Sequence, residues 1–126
     1  MEYIFIYLLG AGLYCTIEIL YRGWTHWSMF FVGGCCFLMM YSLSETALPL
    51  WAKWLCSAGL ISAVEFFSGI VLNIMLKLNV WDYSAQKLNI LGQVCPLFSF
   101  FWFLLSIIGI ALCSSLRPLL QRLLQA

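Results

Sequence analysis

Apolar positions in this chain come in long unbroken runs rather than in alternation with polar ones. Four runs stand out, over residues 3–21, 27–43, 50–78 and 92–116. A helix needs about 20 predominantly apolar residues to cross a bilayer. The pattern therefore predicts membrane-spanning helices over 3–21, 27–43, 53–78 and 92–116, with Lys53 interrupting the third run near its start. The second run is near the short limit for a span. The third exceeds a minimal span and is expected to tilt or to end in a wet turn. Pro49 marks the start of the third helix and Pro118 the end of the fourth. Pro96 falls in the first turns of the fourth, where a missing N–H costs least. Trp24, Trp27, Trp51, Trp54 and Trp81 lie near span ends, as an aromatic belt at the membrane–water interface requires.

Composition sharpens the class. The chain has 126 residues, of which 64% are hydrophobic and 9% charged. Soluble domains carry about 45–50% apolar and about 25% charged residues, so a water-facing surface cannot be built from this sequence. Disorder is excluded by the same numbers, because it needs low hydrophobicity and high charge. A formal net charge of +1 gives no electrostatic basis for binding nucleic acid. The fold class is all-α, a polytopic membrane protein with a four-helix transmembrane bundle in one domain. Its medium is the lipid bilayer, with the bacterial cytoplasmic membrane as the expected location.

The six cysteines form no CxxC pair and have no His at ligand spacing. Inside apolar runs Cys behaves as a small hydrophobe, so neither a metal site nor another cofactor is expected. The N-terminal run leads into Glu18 and Arg22 without a usual cleavage site, which reads as a retained helix.

Four spans place both termini on one side of the membrane and the first and third loops together on the other. Arg22, Thr25 and His26 then share a face with Trp81, Asp82, Tyr83, Ser84 and Asn89. Lys53, Arg117 and Arg122 lie on the terminal side and Arg22, Lys77 and Lys87 on the opposite side. The basic-amphipathic tail tips this near-even balance toward cytoplasmic termini.

Glu65 is the most informative residue, because a charge at the centre of a spanning helix costs about 2.5–3.5 kcal/mol on insertion scales. At helical spacing it shares a face with Ser62, Gly69, Asn73 and Lys77. This polar and small stripe reads as a binding site or hydrated path, or as hydrogen-bonded glue between helices. Glu18 and Arg22 are four apart in the favourable order for an ion pair, and Arg22 can instead snorkel to the headgroups or grip an anion. His26 stands alone and reads chiefly as an interfacial side chain hydrogen-bonded to its own loop, though it has the chemistry to titrate near neutral pH. Trp81, Asp82, Tyr83 and Ser84 form a turn, with Asn89 able to bond nearby backbone. The candidate substrate or ion path is therefore Glu18, Arg22, His26, Glu65, Asn73, Trp81, Asp82, Tyr83 and Asn89. Gly92, Ser99, Ser106 and Cys113 recur every seven residues and, like Gly69, Gly10, Gly12, Gly33 and Gly34, are read as positions for close helix packing.

The segments Glu18-Ile-Leu-Tyr-Arg22-Gly23-Trp-Thr-His26-Trp27, Glu65-Phe-Phe-Ser-Gly69-Ile-Val-Leu-Asn73, Trp81-Asp82-Tyr83-Ser84 and Asn89-Ile-Leu-Gly92-Gln93-Val-Cys95 are similar to those of the ABC-transporter type IV (CmpB-like) membrane proteins of bacteria. The resemblance covers most of the chain. It implies a small polytopic membrane protein of permease type, and fixes no substrate.

Two functions from different classes follow. In the first the chain is a transport component. Four helices rarely enclose a path alone, so it needs a homo-oligomer or partner membrane subunits, and a separate ATPase if ATP is the motor, since no GxxxxGK[ST] segment is present. In the second it is a non-transport scaffold, sensor or assembly factor, with its polar groups serving as interhelical glue. An enzyme ranks last, because no nucleophile–base pair or metal set is visible.

Overall fold

A computed structural model describes residues 1–125. It contains four helices: α1 (Glu2–Arg22), α2 (Trp27–Ser44), α3 (Leu50–Gly69) and α4 (Pro96–Gln125). A wider, π-helical segment (Ile70–Met75) continues α3 without a break. All four are long and apolar enough to cross a membrane, with the third span running over Leu50–Met75. The chain is a multi-pass membrane protein.

Local chemistry sets the helix ends. Gly23 closes α1 in the left-handed region (φ 82°) and donates its N–H to the Ile19 carbonyl at 2.9 Å. His26 caps α2, its Nδ1 accepting from the Ser28 N–H at 3.2 Å. Pro49 precedes α3 with an extended backbone. Both ends of the third and fourth helices differ from those read off the hydropathy, the third beginning at Leu50 rather than at residue 53. The third helix stops at Met75 rather than at residue 78, because Lys77 and Asn79 turn the backbone left-handed. The fourth begins at Pro96 rather than at residue 92, and it continues past Pro118 to Gln125.

Pro118 therefore does not end α4. Its ring removes one backbone N–H, which weakens a helix but need not terminate it. The turn is held from outside by Arg117. One Arg117 Nη2 donates to the Tyr41 carbonyl at 2.6 Å and to Ser44 Oγ at 2.7 Å, and Arg117 Nε lies 3.2 Å from Glu45. The guanidinium also covers the Tyr41 ring at 4.4 Å. At 1.5 Å per residue α4 is about 45 Å long, well beyond the roughly 30 Å hydrocarbon core.

The packing is asymmetric. α1 lies along α2, α2 also meets α3 and α4, and α3 pairs with α4, while α1 scarcely touches α4. Ile6, Phe37, Tyr41, Ile61, Ile110 and Cys113 form the shared core. Glycines make the α1–α2 seam close. A Cβ at Gly33 would fall 2.5 Å from the Tyr14 Cβ, and one at Gly10 would collide with the Phe37 Cβ. Gly34 lies against the Tyr7 ring and Gly109 against Met40. Gly12, expected to pack, faces open space. Ser99 does serve the α3–α4 contact, sharing a 2.8 Å hydrogen bond with Ser62, and Ser106 is fully buried. Gly92 does not belong to this series. It lies outside α4, in the loop before it, with φ 73°, and its role is to turn the chain.

Candidate functional site

The 20 residues between Met75 and Pro96 form a tightly bonded plug rather than a slack loop. Asn73, on the π-helical segment, is its anchor. Its Oδ1 accepts from the Val80 N–H at 2.7 Å and the Trp81 N–H at 3.4 Å, and its Nδ2 donates to Gln93 Oε1 at 2.8 Å. Gln93 returns the tie by donating Nε2 to the Leu91 carbonyl at 2.9 Å, and its own carbonyl accepts from Trp81 Nε1 at 3.0 Å. The widened π-type turn presents Asn73 to this loop, a common place for such irregularity at functional sites. Gly69 is needed for the same contact: a Cβ there would meet Gln93 Oε1 at 2.5 Å and Trp81 at 3.0 Å. Gly69 thus packs against the plug and not against another helix.

The outer half of the plug is organised by Asp82 and Asn89. Asp82 Oδ1 accepts from the Ser84 N–H at 2.8 Å, and this bond holds its carboxyl below the usual range. Asn89 donates to the Ser84 and Gln86 carbonyls and accepts from the Gly92 N–H at 2.9 Å. The Tyr83 N–H donates to the Gly92 carbonyl at 2.8 Å. These bonds aim Tyr83 inward, where its ring stacks on Phe98 with centroids 4.5 Å apart.

Tyr83 carries the plug to the intramembrane carboxylate. Its hydroxyl donates to Glu65 Oε2 at 3.1 Å, and Trp102 Nε1 of α4 donates to Glu65 Oε1 at 3.3 Å. Glu65 is 6% exposed. It lies ten residues before Met75, hence about 15 Å along the helix from the plug end of the span. A loop residue and two helices thus converge on one carboxylate.

The second charged group lies at the end of α1. Arg22 Nε is 2.7 Å from Glu18 Oε2, and Arg22 Nη1 donates to the Val80 carbonyl at 2.7 Å. The guanidinium covers Trp24 at 4.0 Å. The first and third loops therefore meet on one membrane face, as four spans require.

Between α1 and α4, where the bundle is least closed, lie two adjoining hollows. One has about 340 Å³ of space and is walled by Glu18, Tyr21, Arg22, Tyr83, Phe98 and Phe101 among others. The other has about 250 Å³ and runs between Leu13 and Gly10 on α1 and Ile108, Gly109 and Leu112 on α4. Tyr14, Ile17, Glu65, Trp81, Trp102 and Leu105 wall both. Each is near the small end of the range for ligand cavities, and the apolar walls with a few polar groups are of the type such cavities use. Leu13, Ile17, Ile108 and Leu112 are exposed, so the opening is sideways, toward the lipid.

A family model described as "Putative ABC-transporter type IV" matches residues 3–126. The chain belongs to that family. No curated protein and no solved structure matches it. The family's description names no cargo.

Of the residues singled out in the sequence, Glu18, Arg22, Glu65, Trp81 and Tyr83 meet around the hollows. Asn73, Asp82 and Asn89 shape the plug from outside them, and His26 caps α2. The stripe Ser62–Glu65–Gly69–Asn73 faces α4 and the plug, and only Glu65 on it reaches open space. Trp102, Tyr14 and Gln93 were not singled out as site residues. Trp102 carried a signal: unlike the five tryptophans near span ends, it falls well inside the fourth apolar run. Among the described residues no cluster of His, Cys, Asp and Glu is suited to hold a metal ion.

Proposed function

We propose that this chain is a transport subunit that takes its cargo sideways from the bilayer into the space between α1 and α4. The observation that carries this reading is the meeting of an intramembrane carboxylate, Glu65, with a hollow whose rim is exposed to lipid. Ionisable groups inside membranes are expensive, and their usual return is a substrate or ion pathway. The open side also leaves a seat for a second subunit, because α1 and α4 meet only lightly, with Tyr14 edge-on to Trp102. In this reading the motor is a separate ATPase, and the chain works as a homo-oligomer or with partner membrane subunits.

The alternative of a scaffold, sensor or assembly factor draws on a different observation. Both Glu65 oxygens accept hydrogen bonds, from Tyr83 and Trp102, and this ties the plug to α3 and α4. Purification from native membranes in mild detergent, with mass spectrometry of whatever co-elutes, separates the two. A stoichiometric partner carrying a nucleotide-binding GxxxxGK[ST] segment supports the transport subunit. An envelope protein as sole partner, with no ATPase at any detergent strength, overturns it in favour of the scaffold.

A further inference from the structure

The charge and wall chemistry of the hollows narrow the kind of ligand they fit. Arg22 is spent: its guanidinium is shared by Glu18, the Val80 carbonyl and the Trp24 face. Among the described residues no lysine and no second arginine lines either hollow. With all three groups ionised, Glu18 and Arg22 cancel and Glu65 leaves one negative charge in excess. An ionised carboxylate offers about four lone-pair directions. Tyr83 and Trp102 each take one, so Glu65 keeps acceptor capacity beside the open space. The groups around that carboxylate are aromatic. Tyr14, Trp81, Tyr83, Phe98 and Trp102 line the space, and aromatic rings attract cations. Beyond Glu65 the second hollow is apolar, lined by Leu13, Phe37, Ile61, Ile108 and Leu112 among others.

We propose that the hollows bind a hydrophobic organic cation, an amphiphile whose positive centre sits between Glu65 and the aromatic rings and whose apolar body fills the cleft between α1 and α4. An anion would meet Glu65 with no free guanidinium to offset it. A neutral apolar ligand would leave the carboxylate's remaining acceptor capacity unused. This inference deepens the reading of the hollow as a cargo site and supplies the cargo's chemical class.

The test uses two probes of similar shape and opposite charge, tetraphenylphosphonium and tetraphenylborate, with the full-length protein in lipid nanodiscs. Binding is measured by equilibrium dialysis against empty nanodiscs and by quenching of tryptophan fluorescence, since Trp81 and Trp102 wall the space. Saturable phosphonium binding is expected, with the borate at least tenfold weaker. Glu65→Gln should weaken the phosphonium tenfold or more. Leu105→Trp, which fills the space and leaves the carboxylate and its two donors in place, should also abolish binding while the thermal unfolding midpoint stays within the wild-type range. Equal binding of the two ions, or phosphonium binding that survives both substitutions, overturns the proposal. Failure here alongside co-purification of an ATPase would refute the cargo class and leave the transport reading standing. Cation binding without any ATPase would support the site and remove ATP as the motor.

Discussion

Asn73→Ala removes the side chain that holds the plug to the third span, and the structure sets the size of the effect. Two of its bonds are short, to the Val80 N–H at 2.7 Å and to Gln93 Oε1 at 2.8 Å, and the third, to the Trp81 N–H, is long at 3.4 Å. Leaving a buried donor or acceptor unsatisfied costs about 1–3 kcal/mol per group. The site is partly buried, so water recovers some of this, and about 2–3 kcal/mol remains for the pair of short bonds. Each 1.4 kcal/mol is a factor of ten, so the open population of the plug should rise about 30- to 150-fold. Cys95 reports that opening. It is 2% exposed at the end of the plug, and Cys113 is fully buried in the helix core. Maleimide modification of each thiol, resolved by mass spectrometry, then separates local opening from unfolding. Where reclosing is fast, modification follows the open population. Cys95 should react faster by the stated factor and Cys113 at the wild-type rate. A Cys95 rate within about twofold of wild type would refute the anchor role of Asn73. Parallel acceleration of both thiols would show that the plug and the bundle open as one unit.

Four further substitutions have outcomes set by their local surroundings. Gly33→Ala should lower stability in detergent by about 1–3 kcal/mol, because its Cβ meets the Tyr14 Cβ, which cannot rotate away. Gly12→Ala, facing open space two residues from Gly10 and from Tyr14 on the same helix, should be neutral or stabilising by up to about 1 kcal/mol, and paired SDS-denaturation curves check both. Asp82 lies outside the membrane with its carboxyl held low by the Ser84 N–H, so its contribution is complete above the ordinary Asp value near 4 and fades as the pH falls through the lower folded value. Hydrogen exchange of residues 82–92, corrected for intrinsic rate, should therefore show an acid-induced loss of protection in the wild type. In Asp82→Asn that acid-dependent step should be absent, and a step of unchanged size would exclude Asp82 as its source. Trp102→Phe should lower stability by about 1–3 kcal/mol, since it deletes one donor to Glu65 while keeping an aromatic ring, and loss of no more than measurement error would show that Tyr83 alone satisfies the carboxylate.

The spans were legible because transfer of apolar surface decides them, and that term is nearly additive along the chain. The π-helical turn and the true end of α3 were not, because they depend on partners far away in sequence. The run from Ile70 to Leu78 is apolar enough to continue as a helix, yet Asn73 finds Gln93, Val80 and Trp81 instead. Pro118 misled for a related reason. A proline raises the cost of a helix locally, and Arg117 meets that cost through Tyr41, Ser44 and Glu45, 72 or more residues earlier in the chain. Gly92 joined a seven-residue series by spacing alone, while its positive φ belongs to a loop that only the Asn89 and Tyr83 bonds define.

Residue type singled out Glu65 but not the direction of the space beside it. The helical stripe through Ser62, Gly69 and Asn73 suggested a path running along α3 toward the plug. Each of those positions is instead filled: Ser62 by Ser99, Gly69 by Gln93 and Trp81, and Asn73 by the plug backbone. A path along α3 would have to break all three. The space that remains runs crosswise, from Glu65 past Tyr14 and Trp102 to the gap between α1 and α4. Close packing of α1 on α2 by Gly10, Gly33 and Gly34 draws α1 to that side of the bundle, and the pairing of α3 with α4 draws α4 to the other. The same small residues that tighten one seam therefore leave the other open, and Glu65 faces the seam they leave.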